Sequence, residues 1–481
     1  MASYIINDNG NSDYSRADFV SALEGLQPLL VSGRNIKTIN GNSVLGSGNI
    51  EVNVTPPTPQ EYPQEALLTD TEKKLRRKVL AYFDGGTYDP SSWEPADGNT
   101  VEPLTLNGIN PINPSTGKRK FMSFAFITDL HTCFGKNIIA GIDASEMQSD
   151  VQSMVNAGVQ FFDGNGDATI NVSDIVTAIK DDWPSSDGYM DLTCEPSVRL
   201  AGAIAHASGL DAVIVGGDLS SGRLPKNCYR YQIGQVKKLF DKYVLCRRYT
   251  CDGNHDRMYH DNVTGLDYQQ FVDNADWQPF LRYFNSTGAV YLNDKSSWPS
   301  GEVPCNTYYA DFPDHKVRLM MRSYYDNGFV SRQDYQNIFD CYRFDSDTEM
   351  AQWNLCMFAH SNANDDIRQA YGFITGQYYA NGATRYINGV DNSSKGLSSF
   401  GQIEGHWHRA EYTKDTSWRT VHRVKENCCF GSPSPSESGY CVAVFVYDTD
   451  NFVMHHLRIG KYNEYNRAND GYYITYNISH N

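Results

Sequence analysis

Residues 121–131 read FMSFAFITDLH, a mostly apolar run that is followed at once by an acidic and an imidazole side chain. Short runs of this kind predict strands that are buried on at least one face. Further runs of the same character lie at residues 211–216, 317–324, 355–359, 440–447 and 452–459. Because these predicted strands alternate with amphipathic stretches, the chain is predicted to adopt an α/β fold.

Several apolar runs end directly in side chains that could bind a metal ion. The five segments concerned deliver Asp129-Leu130-His131, Gly217-Asp218, Gly253-Asn254-His255-Asp256, His360 and Gly405-His406-Trp407-His408. Strand ends are where α/β proteins place their chemistry, so we expect these side chains to lie close together. Glycines stand beside three of the groups, where they would let backbone and ions approach closely. The sequence therefore predicts a metal site.

The number of donors predicts two ions and not one. The seven candidate ligands are Asp129, His131, Asp218, Asn254, His360, His406 and His408. A catalytic site with three protein ligands and an open position would use about half of them. Two ions that share one carboxylate would use them all, and such a pair stabilises the attacking and leaving oxygens of a displacement at phosphorus. Mixed oxygen and nitrogen donors favour Mn, Fe or Zn over Ca.

The five segments, in this order, resemble the calcineurin-like metallophosphoesterase superfamily over roughly residues 120–462. The resemblance implies a four-layer αββα sandwich and hydrolysis of a phosphomonoester or phosphodiester by a hydroxide that bridges two metal ions. One ion would take Asp129, His131, Asp218 and His408; the other would take Asp218, Asn254, His360 and His406. Asp218 would be the bridge. His255 would protonate or stabilise the leaving oxygen, and Asp256 would orient the His255 imidazole.

Two departures from that family are visible. The spacing from Asp129 to Asp218 is longer than family members usually show, which implies an insertion at residues 140–197. Ser361 follows His360 where the family more usually has proline, so the local contacts to substrate stay open. Neither departure removes a candidate ligand.

Inside the insertion, residues 163–174 read DGNGDATINVSD and resemble a dockerin-type or EF-hand-like calcium loop. The candidate calcium ligands are Asp163, Asn165, Asp167, Thr169 and Asp174. Ala168 stands where such a loop prefers glycine, and Asp174 is shorter than the usual glutamate. The alternative is a solvated loop that caps the following helix.

The first 55 residues have a different character. Asn40-Gly41 between short apolar runs predicts a β-hairpin. Residues 30–50 resemble a short repeat-like segment of bacteriophage tail-fibre and other tail-associated proteins. Such segments are β-rich and often trimerise, so residues 1–55 are predicted to attach the chain to other tail or virion proteins as a homo-oligomer.

The remaining boundaries follow from proline content and capping. Residues 56–100 are predicted to be a linker and a helix, because Pro56-Pro57-Thr58-Pro59 predicts an extended spacer. Thr69 and Glu72 then have the spacing of a capping box at a helix start. Residues 101–481 form the predicted phosphoesterase domain.

Composition excludes several classes of protein. Among 481 residues, 41 Lys and Arg against 57 Asp and Glu give a net charge of −16, which argues against a general binder of nucleic acid. Eleven cysteines include no C-x-x-C pair, so neither a disulfide scaffold nor a zinc ribbon is indicated. We find no signal peptide and no membrane-spanning stretch, which predicts assembly in a host cytoplasm.

The combined prediction is a metallophosphoesterase carried on a phage tail or virion, where it acts on a phosphate ester of a host surface polymer. A second hypothesis is a structural or receptor-binding tail protein that uses the phosphoesterase fold as a non-catalytic scaffold. A third is a secreted bacterial phosphatase with a dockerin-like insert, which the missing signal peptide disfavours.

Overall fold

The structure is a computed structural model of the chain, and its described residues lie within Leu67–Asn481. They are residues 68–70, 72–73, 119–162, 168–169, 171–185, 194–222, 224–260, 269–271, 274–294, 306–324, 353–361, 386–387, 390–391, 398–415, 421–426, 428–429, 441–460 and 473–478. The predicted attachment segment 1–55 and most of the linker 56–100 lie outside them. Their assignment, and the trimer, stay predictions.

The described residues form short strands and six α-helices. The strands are β1 (Phe121–Ile127), β2 (Phe161–Phe162), β3 (Ala168–Thr169), β4 (Ala212–Val215), β5 (Arg247–Thr250), β6 (Met258–His260), β7 (Gln269–Phe271), β8 (Ala289–Tyr291), β9 (Tyr308–Phe312), β10 (Val317–Arg322), β11 (Asn354–Ala359), β12 (Tyr386–Ile387), β13 (Val390–Asp391), β14 (Ser398–Glu404), β15 (Glu411–Asp415), β16 (Val421–Lys425), β17 (Cys441–Asp448), β18 (Val453–Gly460) and β19 (Tyr473–Asn477). The helices are α1 (Lys136–Gly141), α2 (Ala144–Asn156), α3 (Val172–Asp182), α4 (Glu195–Ser208), α5 (Lys226–Tyr243) and α6 (Asn274–Phe284). Among these residues, no helix is both long and apolar enough to cross a bilayer.

Two mixed sheets carry the fold. The first has the strand order β19-β18-β17-β1-β4-β5, and β1, β4 and β5 run parallel to one another. The second has the order β15-β16-β14-β11-β10-β9-β8, and β10, β11, β14 and β16 run parallel. Antiparallel strands complete both sheets. The six apolar runs singled out in the sequence are strands β1, β4, β10, β11, β17 and β18, so those predictions are confirmed.

The sheets pack against each other through aromatic side chains. The Phe358 ring of β11 lies 5.3 Å from the Phe124 ring and 5.8 Å from the Phe126 ring, both on β1. Helix α4 packs on β1, β4 and β17, and α5 packs on α4. Because the second sheet covers one face of β1 and α4 covers the other, side chains on both faces of this strand are buried. The chain has the α/β class that the sequence predicts, with two mixed sheets and packed helices.

The predicted insertion is part of the main core. Helices α2 and α3 pack on α5, and Met147, Val151 and Ile179 belong to the same buried cluster as the sheets. The hairpin of β2 and β3 is tied to α5 by Asn227, whose side chain pairs with both backbone groups of Phe162 at 2.6 and 3.0 Å. The described residues of the predicted insertion thus form a helical layer on α5.

The predicted capping box is present. The Thr69 amide donates to Glu72 Oε2 at 2.7 Å, and the Glu72 amide donates to Thr69 Oγ1 at 3.2 Å. The Glu72 carboxylate is fully buried and receives Arg199 of α4 at 2.7 Å, which fastens this helix start to the domain.

Candidate metal centre

All seven candidate ligands meet at one edge of the two sheets. They follow the carboxyl ends of β1, β4 and β5 in the first sheet and of β11 and β14 in the second. The donor atoms fall into two groups that share Asp218. Three overlapping sets of acidic and imidazole side chains here have ligand atoms within 4.8 Å of one another: Asp129, His131 and His408; His131, Asp218 and His255; and Asp129, Asp218 and His360.

The first group surrounds His131. Its Nε2 lies 3.1 Å from His408 Nε2, 3.5 Å from Asp218 Oδ2 and 3.8 Å from Asp129 Oδ1. His408 Nε2 lies 3.1 Å from Asp129 Oδ1. These are the four residues that the resemblance assigns to one ion.

The second group surrounds His360. Its Nε2 lies 3.0 Å from Asp218 Oδ2, 3.1 Å from Asn254 Oδ1 and 3.2 Å from His406 Nδ1. His406 Nδ1 lies 3.0 Å from Asn254 Oδ1. These are the four residues that the resemblance assigns to the other ion, and Asp218 Oδ2 faces both groups.

These separations fit donors that bind a common cation. Two ligands held at about 2.1 Å from one ion lie about 3.0 Å apart at a right angle and about 3.4 Å apart at a tetrahedral angle. Most of the distances within the two groups fall near that range. The ring nitrogens of His131 and His408 lie 3.1 Å apart, and those of His406 and His360 lie 3.2 Å apart. Each distance is that expected of two ligands on one cation. The residues present therefore fit two divalent cations.

Hydrogen bonds leave one oxygen of each aspartate facing the donor groups. Asp129 Oδ2 accepts from Thr128 Oγ1 at 2.7 Å and from the His406 amide at 2.9 Å. The same amide lies 3.1 Å from Oδ1, which is the oxygen that faces His408 Nε2 at 3.1 Å. Asp218 Oδ1 accepts from the His255 amide at 2.8 Å, so Oδ2 is the oxygen shared by the two groups. Each carboxylate is held by its second oxygen, as metal-binding carboxylates commonly are.

A backbone carbonyl sets the tautomer of His360. His360 Nδ1 lies 2.8 Å from the Gly216 carbonyl oxygen. A carbonyl only accepts, so Nδ1 must carry the hydrogen, and in the neutral ring Nε2 then presents its lone pair to Asp218 and Asn254. This is the usual orientation of an imidazole that binds a metal ion through one nitrogen.

Backbone conformation marks the same residues. Among the described residues, seven that are not glycine have a positive φ, and five of these are candidate ligands: Asp129, His131, Asp218, His406 and His408. Their φ angles lie between 41° and 69°, in the left-handed region that costs a residue with a Cβ about 1 kcal/mol or more. Residues with strained backbone cluster at functional sites, where contacts with the surrounding structure stabilise the unfavourable conformation.

Two buried negative charges lie at the centre of the site. Asp129 and Asp218 are fully buried, and within the described residues they pair with imidazoles and with no lysine or arginine. Burial opposes their ionisation, but His360 and the other imidazoles lower the pKa of both carboxyls. Burial lowers the pKa of His131 to about 4, which keeps its ring neutral. Burial opposes protonation of His360, yet Asp218 and Asp129 raise the pKa of its ring to about 10, so the two carboxylates already draw positive charge to this position. Ionised carboxylates among imidazole nitrogens form a donor set that calls for cations.

Two of the predicted glycines are needed for close approach. A Cβ on Gly253 would lie 2.6 Å from the Asp218 amide nitrogen and would overlap Asp218 Oδ1. A Cβ on Gly405 would overlap Thr128 Oγ1 and Asp129 Oδ2. The interpretation of these glycines is confirmed, and they act by admitting the two carboxylates.

The structure corrects the role of Asp256. Its carboxylate accepts hydrogen bonds from the backbone amides of Leu219, Ser220 and Gly253, at 2.5, 3.3 and 2.8 Å. The His255 ring is instead held through Nδ1 by the Ser221 carbonyl oxygen at 2.7 Å. Asp256 was expected to orient the imidazole, and that expectation is wrong, because its oxygens are occupied by the loops after β4 and β5. It is a positioning residue for those loops.

The calcium loop is only partly described. Asp163, Asn165 and Asp167 lie outside the described residues, Thr169 is in β3, and Asp174 is in the first turn of α3. Asn171 caps α3 by accepting from the Ser173 amide at 3.2 Å. The predicted helix after the loop is present; calcium binding stays a prediction that a count of bound calcium per chain would test.

Sequence reasoning missed several residues around the centre. Thr128 holds Asp129, and the carbonyls of Gly216 and Ser221 hold the rings of His360 and His255, but backbone carbonyls leave no sequence signal. Asp252, after β5, accepts from Ser323 Oγ and from the Tyr324 amide, each at 2.9 Å, and so joins the two sheets at this edge. The Tyr324 ring lies 5.9 Å from the His360 ring and 6.0 Å from the His406 ring. Asp252 directly precedes the quoted Gly-Asn-His-Asp segment, which was the available signal.

Comparison with known proteins gives resemblance only at the level of solved structures. No family model and no curated protein matches the chain. A dimetal phosphatase from Danio rerio is 12% identical with a TM-score of 0.37, and the match covers 74% of this chain and 99% of that one. A purple acid phosphatase from seeds of yellow lupin, Lupinus luteus, is 11% identical with a TM-score of 0.36, covering 75% of this chain and 54% of that one. The anchor protein of the inner membrane complex of Plasmodium is 9% identical with a TM-score of 0.31, and the match covers 75% of this chain and 89% of that one. Dimetal and purple acid phosphatases are thus among the solved structures that this chain resembles.

Proposed function

We propose that the chain is a binuclear metal-dependent phosphoesterase. The observation that carries the proposal is the pair of donor groups around His131 and His360, which face the same oxygen of Asp218. One ion would be held by Asp129, His131, Asp218 and His408, and the other by Asp218, Asn254, His360 and His406. When bound, two divalent cations would supply a nucleophile at neutral pH and neutralise charge at phosphorus.

The protein itself would orient the groups around the substrate and supply a proton to the leaving oxygen through His255. His255 Nδ1 donates to the Ser221 carbonyl, so Nε2 is the ring atom that can deliver a proton to the leaving oxygen. The His255 amide also donates to Asp218 Oδ1, which keeps this imidazole beside the shared carboxylate. Its ring centroid lies 4.6 Å from that of His131. Asp256 joins the loops after β4 and β5 through its hydrogen bonds to their backbone amides.

Hydrolysis with a histidine variant tests the proposal. The purified chain, loaded with Mn, Fe or Zn, should hydrolyse p-nitrophenyl phosphate or bis-p-nitrophenyl phosphate. We expect His255→Ala to lower kcat by about 10²- to 10⁴-fold, the usual contribution of a general acid. The loss should be greater for phenyl phosphate, whose leaving oxygen needs a proton more than nitrophenolate does.

The metal content separates the possible roles of His255. If His255→Ala lowers activity but keeps the metal content of the wild type, the residue acts on the proton. Equal losses for both leaving groups together with a lost ion would make His255 a ligand and reject the proton role. A protein that binds two ions but hydrolyses neither substrate would favour the non-catalytic scaffold.

We further propose that this enzyme is carried on a phage tail or virion as a trimer, acting on a phosphate ester of a host surface polymer. The support is the resemblance of residues 30–50 to tail-associated segments. Mass photometry of the full chain should give three times the monomer mass, and removing residues 1–55 should give a monomer. A full-length chain that remains monomeric at micromolar concentration would contradict the trimer.

A further inference from the structure

The loop that carries His406 and His408 presents a large aromatic side chain to solvent. Among the described residues, three large apolar side chains are exposed, and of these Trp407, at 39%, lies at the metal centre. The flanking residues both have left-handed backbone, and the Trp407 amide donates to the Gly405 carbonyl oxygen at 2.8 Å. This tight turn brings His406 and His408 into the two donor groups, while the residue between them remains exposed.

The indole adjoins the donor groups directly. Its ring centroid lies 5.1 Å from that of His406, at an interplanar angle of 79°. His406 Nδ1 is itself 3.0 Å from Asn254 Oδ1 and 3.2 Å from His360 Nε2. The side chain of His408 is 38% exposed, so the centre opens to solvent on the same loop. A group bonded to a phosphate at the centre would therefore reach Trp407.

Charged neighbours stand around the indole. Lys425 Nζ lies 5.2 Å from the ring centroid and the Arg409 guanidinium 5.7 Å from it. Both cations also contact Glu411 Oε2, at 3.0 and 3.1 Å. This network restrains the side chains around the indole before any ligand arrives, so less ordering would remain to be done on binding. The two cations and the Glu411 carboxylate together keep a net positive charge, which suits a substrate that carries negative charge.

We propose that Trp407 determines specificity by stacking on a planar ring carried by the phosphate-ester substrate. The proposal rests on the proposed function, because the phosphate must sit at the two donor groups for its substituent to meet the indole. Planar rings prefer offset or edge-to-face contact with an indole, whereas a saturated ring of the same size lacks that preference. An aryl ester and a nucleotide share this chemistry.

Binding of two matched phosphonates tests the proposal without catalysis. Phenylphosphonate and cyclohexylphosphonate have similar size and, at an alkaline pH where both are dianions, the same charge; only the first has a planar ring. Titration calorimetry on the Mn-loaded full chain should show tighter binding of phenylphosphonate. Trp407→Ala should weaken phenylphosphonate by about 5- to 100-fold, the range of aromatic stacking, and abolish the preference. Trp407→Phe should retain the preference.

Controls separate this proposal from the proposed function. Inorganic phosphate has no ring, so its affinity should be equal in the wild type and in Trp407→Ala. Leu245→Ala removes another exposed apolar side chain, and phosphonate binding should stay as in the wild type. If phosphate binds but the wild type does not prefer phenylphosphonate, or Trp407→Ala keeps the preference, the role of Trp407 is overturned. If neither phosphate nor phosphonate binds, the proposed function fails.

A further pair of ligands identifies the source of the ring. Adenosine 5′-monophosphate carries a base where ribose 5-phosphate carries an anomeric hydroxyl. A Trp407-dependent preference for the nucleotide would show that the indole reaches a nucleobase beyond a sugar. Equal binding of these two, with phenylphosphonate still preferred, would show that the ring must be attached close to phosphorus, as in an aryl ester.

Discussion

Asp218→Asn should reduce kcat/KM for p-nitrophenyl phosphate by at least about 10³-fold, because one oxygen of this carboxylate serves both donor groups. The amide oxygen can still accept the hydrogen bond of the His255 amide, so the loop should keep its path. The lost charge and the amide NH₂ leave a poorer bridge. Elemental analysis by mass spectrometry should find the bound metal reduced from two ions per chain to one or none.

The matched control is the same change at a helix cap. Asp143 accepts from the Ser145 amide at 2.7 Å at the start of α2, and asparagine caps a helix equally well. Asp143→Asn should therefore keep activity, metal content and a free energy of unfolding within about 0.5 kcal/mol of the wild type. If Asp218→Asn behaved like this control, with two ions and full activity, the assignment of Asp218 as the shared ligand of two ions would be rejected.

Gly253→Ala should reduce kcat/KM by about 10²-fold or more, since a misplacement of about 1 Å in a catalytic group has that effect. The added methyl would overlap Asp218 Oδ1 and lie 2.6 Å from the Asp218 amide nitrogen, so the shared carboxylate must move. Overpacking of this kind also costs about 1 to 3 kcal/mol of unfolding free energy. Steady-state kinetics, metal analysis and urea unfolding would measure the three effects.

Gly141→Ala makes the same chemical change where space is open. A Cβ at Gly141, the last residue of α1, meets nothing within 4 Å, so activity and metal content should be those of the wild type. The two variants together separate a general effect of alanine from the effect on Asp218. Full activity and two bound ions in Gly253→Ala would show that the carboxylate does not need its present position.

Much of the centre could be predicted from the sequence because its signals are local. Asp129, Asp218 and His360 each follow an apolar run that is long enough for a strand and too short for an average helix. Residue type limits the ligand chemistry, and adjacent glycines indicate close approach. These features need no knowledge of neighbours, so the strands and the ligand types were predictable from local patterns. The division of the ligands into two overlapping groups came instead from the resemblance to a known family.

The role of Asp256 was not predictable on the same grounds. An acidic residue next to a histidine suggests a pair, but the backbone after β5 turns the two side chains to different partners. The Asp256 carboxylate meets amides of a loop that precedes it by more than thirty residues. The exposure of Trp407 could not be predicted either, since tryptophan is highly buried on average and this one is 39% exposed.

The sequence by itself determined the α/β class, the strand ends that carry chemistry and the residue types available to bind cations, because each depends on a short pattern. Only the tertiary structure decided which oxygen of Asp129 and Asp218 faces the site, which carbonyls orient the His360 and His255 rings, and that Trp407 is exposed beside the donor groups. Those choices depend on hydrogen bonds between distant segments, such as that from the His406 amide to Asp129. Packing of the two sheets brings such partners together, and no local pattern encodes it.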